Sequence, residues 1–253
     1  MSSEHSNTFT KENLNTYLSE LAKQYRKLSG KSVKAEIILV GGAAVLANYD
    51  FRDMTTDVDA LIQASSSMKD AINIVGDKYG LPNRWLNADF IRTASYSQKL
   101  LQFSHYYRTF SNVLEVRAVN GEYLVAMKLM SGRQYKKDLS DVIGILAEHQ
   151  DQGCPLTLAD IERAVSDLYG QWEKLPAVSQ SFIRSALEYP DLNEVYERIN
   201  RSEQETRNIL LSFESRYPGV ASAENVNDII AKTRSKDAIL EALRARNKEE
   251  KGR

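Results

Sequence analysis

The chain has 253 residues, of which 42% are hydrophobic and 26% are charged, and its formal net charge is −1. This length and composition are typical of a globular protein with one large domain or two modest ones. A net charge near zero argues against a protein that grips a long stretch of nucleic acid, because such proteins carry a basic excess.

The single cysteine and the polar N-terminal sequence favour a cytoplasmic location. Cys154 is the single cysteine, so the chain cannot form an internal disulfide. The first ten residues are polar and do not resemble a signal peptide. No apolar run approaches the roughly 20 residues that span a bilayer. We therefore expect a cytoplasmic protein that does not enter a membrane.

The first part of the chain alternates helical and strand patterns, which is typical of an α/β domain. From Pro155 onwards the pattern is helical throughout, so we predict an α/β (α+β) domain over 1–150 and an α-helical domain over 151–253. Helices are predicted over 13–28, 43–49, 65–79, 122–130, 139–149, 179–188, 192–214 and 226–246, strands over 35–40, 56–62, 103–108 and 113–119, and a mixture of short helix and irregular chain over 85–101.

Two aspartates interrupt the second predicted strand. Asp57 and Asp59 are two residues apart, so on a strand they project from the same face, about 7 Å apart. Two carboxylates on one face repel unless a cation lies between them, and Mg²⁺ takes oxygen ligands that it shares with substrate phosphates. The alternative is that both aspartates lie on the solvent face of a half-exposed strand.

A double glycine follows the first predicted strand. Gly41 and Gly42 allow backbone N–H groups to approach a phosphate and open a helix whose N-terminus favours anions. Together with the two aspartates they predict a phosphate cradle that faces a metal-binding carboxylate pair.

These motifs resemble the signature of the DNA polymerase β-like nucleotidyltransferase superfamily. The lead-in from Arg52 to Asp59 is similar to the R-x-T-x-D-x-D of the small bacterial branch that includes AbiEii-like and MenT-like proteins, with one extra residue after the arginine. Gly42 stands where many members have serine. The resemblance implies a mixed sheet with flanking helices, a nucleoside triphosphate substrate and Mg²⁺.

A third metal-binding carboxylate is expected on a neighbouring strand, because two-metal nucleotidyl transfer uses one. Glu115 lies within the apolar strand 113–119, where a charge is otherwise costly. The alternative is an outward-facing glutamate that Arg117 balances.

The helix after Glu115 carries a single lysine. Its sequence resembles the L-L-A-x-K-L helix of the same branch, which implies that Lys128 contacts nucleotide phosphates and that Asp138 supports it. Arg133 and Lys137 are candidates to screen triphosphate charge. Alternatively, Lys128 lies on the surface, Arg133 and Lys137 are solvated, and Asp138 and Asp141 cap the next helix.

The sequence therefore predicts a Mg²⁺-dependent nucleotidyltransferase that moves a nucleoside monophosphate to an acceptor hydroxyl. The resemblance implies that the acceptor is tRNA and that the chain is a toxin paired with an antitoxin protein. Two alternatives stay open. One is a catalytically silent protein with this fold, and the other is an aminoglycoside-type enzyme that modifies a small molecule.

Overall fold

A computed structural model describes residues 8–131, 138–222 and 225–233. The described residues form two compact units, one that ends at Tyr196 and one that begins at Glu197. The boundary predicted after residue 150 falls within the first unit, at the end of the helix Asp138–Asp151.

A five-stranded mixed sheet organises the first unit, in the order β3-β2-β1-β5-β4. The central strand β1 pairs antiparallel with β2 and parallel with β5, while β4 forms an antiparallel edge. The strands are β1 (Ala35–Leu39), β2 (Val58–Gln63), β3 (Leu86–Asn87), β4 (Ser104–Phe110) and β5 (Leu114–Val119).

The two faces of the sheet differ in burial, because successive side chains of a strand point to opposite faces. One face is apolar and mostly buried, with Ile37, Leu39, Ala60, Val116 and Ala118 at 0% exposure. The other, which we call the half-open face, keeps partly exposed side chains on three neighbouring strands: Glu36 on β1, Asp59, Leu61 and Gln63 on β2, and Glu115 and Arg117 on β5.

The helices of the structure confirm the predicted positions. Helix α4 packs against both α5 and α6, so the chain beyond residue 150 continues the core of the first unit. The helices are α1 (Lys11–Ser29), α2 (Gly41–Asn48), α3 (Ser67–Tyr79), α4 (Gly121–Ser131), α5 (Asp138–Asp151), α6 (Leu158–Tyr169), α7 (Ala177–Leu187) and α8 (Leu192–Arg216).

Capping boxes start two of these helices. Thr10 and Asn13 exchange side-chain to backbone hydrogen bonds at α1, and Thr157 and Asp160 do the same at α6. Such boxes satisfy N–H groups that have no partner inside the helix. Local sequence therefore sets where these helices begin.

The segment between α3 and β4 is irregular, as predicted. It contains β3 and two short 3₁₀ turns, Asp89–Arg92 and Gln98–Gln102. In the second unit, residues 226–233 are helical, which agrees with the start of the helix predicted over 226–246. The rest of that predicted helix lies outside the described residues. None of the described helices combines the length and apolar character that crossing a membrane would need.

Candidate active site

The N-terminus of α2 meets the first residues of β2. The backbone N–H of Val40 donates to the carbonyl of Asp59 at 3.0 Å. A Cβ atom on Gly41 would lie 3.8 Å from Oδ2 of Asp59. Gly41 has φ +54°, which disfavours other residues. The predicted phosphate cradle and the predicted metal-binding carboxylate therefore lie side by side.

The first turn of α2 is capped by no side chain. Its N-cap residue is Val40, which has no polar group to accept from the first N–H groups of the helix. The helix is eight residues long. An N-terminus of this kind favours an anion such as a phosphate, because its N–H groups and its dipole both attract negative charge.

Asp57 and Asp59 are positioned differently. Asp57 is exposed just before β2, where its Oδ1 accepts from Oγ1 of Thr55 at 3.3 Å. Asp59 lies within β2 and is half-buried on the half-open face. The buried neighbours Val58 and Ala60 anchor the strand, so Asp59 lies on a packed element and Asp57 directly precedes it.

Gly42 leaves no room for a side chain. A Cβ atom there would lie 2.5 Å from Oγ1 of Thr55 and 2.9 Å from Nη2 of Arg52. Many members of the superfamily that the chain resembles have serine at this position. The close approach of Thr55 and Arg52 explains why this chain has glycine there. Gly42 lets Arg52 and Thr55 pack directly against the first turn of α2.

A buried ionic network adjoins this turn. Nζ of Lys128 lies 2.7 Å from Oδ1 of Asp138 and 2.8 Å from Oδ2 of Asp141. Oγ of Ser131 donates to Asp138 at 2.9 Å. The guanidinium of Arg52 donates to both carboxylate oxygens of Asp141. Two cations and two carboxylates thus hold one another in the interior.

The pKa of Lys128 shows how these charges balance. Burial by itself would lower the pKa of the ammonium, because it disfavours the charged form. The carboxylates of Asp141 and Asp138 outweigh burial and the repulsion from Arg52, so the pKa is raised above its ordinary value of 10.5. Lys128 is therefore a fixed cation at neutral pH.

Arg52 connects this network to the aspartate pair. Its Nε donates to the carbonyl of Met54 at 3.0 Å, and its guanidinium reaches Asp141 on α5. The side chain is only 10% exposed. The segment that leads into Asp57 is thus tied to α5 and to the first turn of α2. Arg52 belonged to the lead-in motif, but its sequence position did not indicate this role.

Glu115 is not brought to the aspartate pair. It pairs with Glu36 on β1, which in turn pairs with Gln63 on β2. Gln63 lies four residues beyond Asp59, which corresponds to about 13 Å along the sheet. Glu115 does share the half-open face with Asp59. At that separation the two carboxylates cannot bind one metal ion directly, since metal–oxygen bonds are near 2 Å.

The oxygen donors that remain still suit Mg²⁺. Within the described ranges, no group of three or more acidic, histidine or cysteine side chains could hold a metal ion. Mg²⁺ does not need such a cage, because it keeps several waters and binds through one or two carboxylates plus substrate phosphates. Asp57 and Asp59 beside the α2 N-terminus fit this pattern. The candidates Arg133 and Lys137 lie outside the described residues.

Comparison with known proteins identifies one family. A family model described as "nucleotidyltransferase of unknown function (DUF6036)" matches residues 16–150. This range contains the double glycine, the aspartate pair, Lys128, Asp138 and Asp141. No curated protein and no solved structure matches the chain.

Proposed function

Because the chain belongs to this family of nucleotidyltransferases of unknown function, we propose that it transfers a nucleoside monophosphate from a nucleoside triphosphate to an acceptor hydroxyl. The reaction uses Mg²⁺, which Asp57 and Asp59 would hold. The observation that carries the proposal is that Asp59 lies beside the α2 N-terminus. A Cβ atom added to Gly41 would be 3.8 Å from Oδ2 of Asp59.

Three sets of groups contribute to binding the triphosphate: the N–H groups of α2, Lys128 and the two aspartates. The N–H groups at the start of α2 attract its phosphates. Lys128 adds a permanent positive charge, and its carboxylate partners fix where that charge lies. Mg²⁺ bound by Asp57 and Asp59 would neutralise phosphate charge and lower the pKa of the attacking hydroxyl.

The chemical step is an in-line displacement. The acceptor oxygen forms a bond to the α-phosphorus, and the bond from that phosphorus to the oxygen bridging the β-phosphorus breaks. Pyrophosphate leaves, and the hydroxyl proton is released. Arg52 takes no part in these bonds. It keeps the aspartate segment against α2, so that the carboxylates and the phosphate cradle retain their geometry.

The acceptor that we propose is tRNA, with the chain acting as a toxin that an antitoxin protein restrains. The support is the resemblance of the lead-in from Arg52 to Asp59, and of the helix around Lys128, to the AbiEii-like and MenT-like branch. The contacts of Asp141 with both Lys128 and Arg52 add to it, because they link the lysine helix to the segment that precedes Asp57.

The test incubates the purified chain with Mg²⁺, each labelled nucleoside triphosphate in turn, and total tRNA. Asp59→Asn removes the carboxylate beside Gly41, and Asp53→Asn serves as the matched control, since Asp53 is an exposed aspartate of the same segment. We expect label on RNA with the wild type and Asp53→Asn, and none with Asp59→Asn or with a chelator.

Two results would contradict the proposal. Equal labelling by Asp59→Asn would remove the aspartate pair from the reaction. Mg²⁺-dependent nucleotide binding without transfer to RNA, protein or small molecules would establish the catalytically silent alternative.

A further inference from the structure

A polar cleft lies on the half-open face, at the end of the sheet remote from the α2 N-terminus. Its volume is about 470 Å³. Its lining carries both hydrogen-bond donors and acceptors, on the polar side chains Lys34, Glu36, Gln63, Thr109, Asn112 and Glu115. The cleft is therefore suited to a ligand that presents several hydrogen-bonding groups.

Glu36 and Glu115 are direct cross-strand neighbours in this cleft. Like charges at such positions are destabilising. Arg117 offsets them only loosely, at 3.6 Å from Glu36 and 3.4 Å from Glu115, and its closer bonds go to Ser104. The two glutamate side chains remain 34% and 45% exposed. They therefore keep capacity to accept hydrogen bonds from a ligand.

The cleft shares its face with the candidate active site. Glu115 and Glu36 are level with Gln63, four residues along β2 from Asp59 and about 13 Å away. A chain-like acceptor with its hydroxyl at Asp59 would need to extend about 13 Å along this face to reach the cleft. The part of the acceptor in the cleft would then not be the nucleotide that reacts.

We propose that this cleft binds an unpaired nucleobase of the acceptor RNA, one that carries an exocyclic amino group. The inference rests on the proposed function for its acceptor class. Carboxylates accept from amino groups of cytosine and adenine, whereas uracil has none. RNA ends are read in this way, through splayed bases that also stack on aromatic side chains.

Tyr106 supplies the stacking surface. It pairs with Arg117 across β4 and β5, and it is 57% exposed. A base on its ring would lie next to the cleft that contains Glu115. The two carboxylates also argue against a phosphate at this place, so the cleft takes the base and not the backbone.

The test measures binding directly, with fluorescent single-stranded RNA pentamers of cytidine, adenosine or uridine and the intact chain. We expect cytidine and adenosine RNA to bind about tenfold more tightly than uridine RNA, the ratio that one good base contact supports. Glu115→Gln should reduce the ratio to near one, because the amide also donates to uracil. Tyr106→Ala should weaken all three, and Glu12→Gln, on the exposed surface of α1, should change nothing.

Failure of this inference is distinguishable from failure of the proposed function. Equal binding of the three RNAs, no binding of any, or an unchanged ratio in Glu115→Gln would overturn the base-binding cleft. If the chain prefers cytidine and adenosine RNA, Glu115→Gln abolishes that preference and no nucleotide is transferred, the cleft is upheld and the proposed transfer is overturned. If nucleotide is transferred to RNA but the three RNAs bind equally, the transfer is upheld and the base-binding cleft is overturned.

Discussion

Nζ of Lys128 lies 2.8 Å from Oδ2 of Asp141, and both side chains are buried. This contact joins α4 to α5, and the guanidinium of Arg52 binds the same carboxylate from the segment before β2. The buried carboxylate of Asp141 therefore pairs with two cations. Both the stability of the fold and the geometry of the candidate site depend on it.

Asp141→Asn should therefore destabilise the protein strongly. The substitution leaves two buried cations with one carboxylate, a change that typically costs about 3–5 kcal/mol of the free energy of unfolding. Urea denaturation at pH 7 measures it. The matched control is Asp50→Asn, which removes an exposed pair with Lys11 and should cost less than about 1 kcal/mol. Equal losses in the two variants would contradict a buried network.

Gly42→Ala should destabilise by steric overlap. The new methyl group would meet Thr55 and Arg52 at 2.5 and 2.9 Å, and overpacking of this kind costs about 1–3 kcal/mol. The control Gly153→Ala has φ +74° but open space around it, so it reports backbone strain alone. Adding Thr55→Ala to Gly42→Ala should cost less than the sum of the two single changes. Strict additivity in urea denaturation would argue against the contact.

Mg²⁺ together with a non-hydrolysable nucleoside triphosphate should raise the melting temperature. A ligand at 100 times its Kd stabilises the folded state by about 2.7 kcal/mol, and a chelator should reverse the shift. Asp59→Asn should abolish the shift. Glu115→Gln should retain it, since Glu115 is level with Gln63, which itself lies about 13 Å along β2 from Asp59. Loss of the shift in Glu115→Gln would restore the third metal ligand that the sequence predicted.

The capping box of α6 should make stability depend on acid pH. Hydrogen bonds from the side chain and backbone of Thr157 lower the pKa of Asp160 below its ordinary value of 3.8. A lowered pKa in the folded state stabilises the protein above pH 3.8, and this contribution is lost as the pH falls through the folded-state pKa.

Asp160→Asn should accordingly reduce the free energy of unfolding at pH 7, and the difference from wild type should shrink below pH 3.8. Thr157→Ala should lose about 1 kcal/mol at pH 7. Its loss should also shrink at low pH, because the Thr157 hydroxyl donates to the Asp160 carboxylate as well as accepting from the Asp160 N–H. A pH-independent loss in Asp160→Asn would contradict the ionic contribution.

Local patterns were sufficient for the secondary structure. The predicted helix over 13–28 and the predicted strand over 35–40, for example, each depend on interactions within a few residues. The same holds for the neighbouring motifs Gly41–Gly42 and Asp57–Asp59, since a strand and a short helix bring them together. Backbone sterics and side-chain periodicity act at short range, so sequence could predict these elements.

The position of Glu115 in the sheet is a feature that local sequence patterns could not predict. Its place in an apolar strand made it a candidate metal ligand, but strand pairing sets its height in the sheet. The pairing of Glu36 with both Glu115 and Gln63 depends on how β1, β2 and β5 pack together. Local patterns also could not show that α6 packs against α4, since the two helices are far apart in the sequence.

By itself, the sequence determined the helices and strands and the positions of the double glycine and the two aspartates on them, because each arises from contiguous residues with their own conformational preferences. Only the tertiary structure decided that Arg52, Lys128, Asp138 and Asp141 form one network and that Glu115 faces a separate cleft. Those relationships join residues far apart in the chain. They arise because buried charges are stable only when they are paired, and because strand register determines which side chains lie at the same height in the sheet.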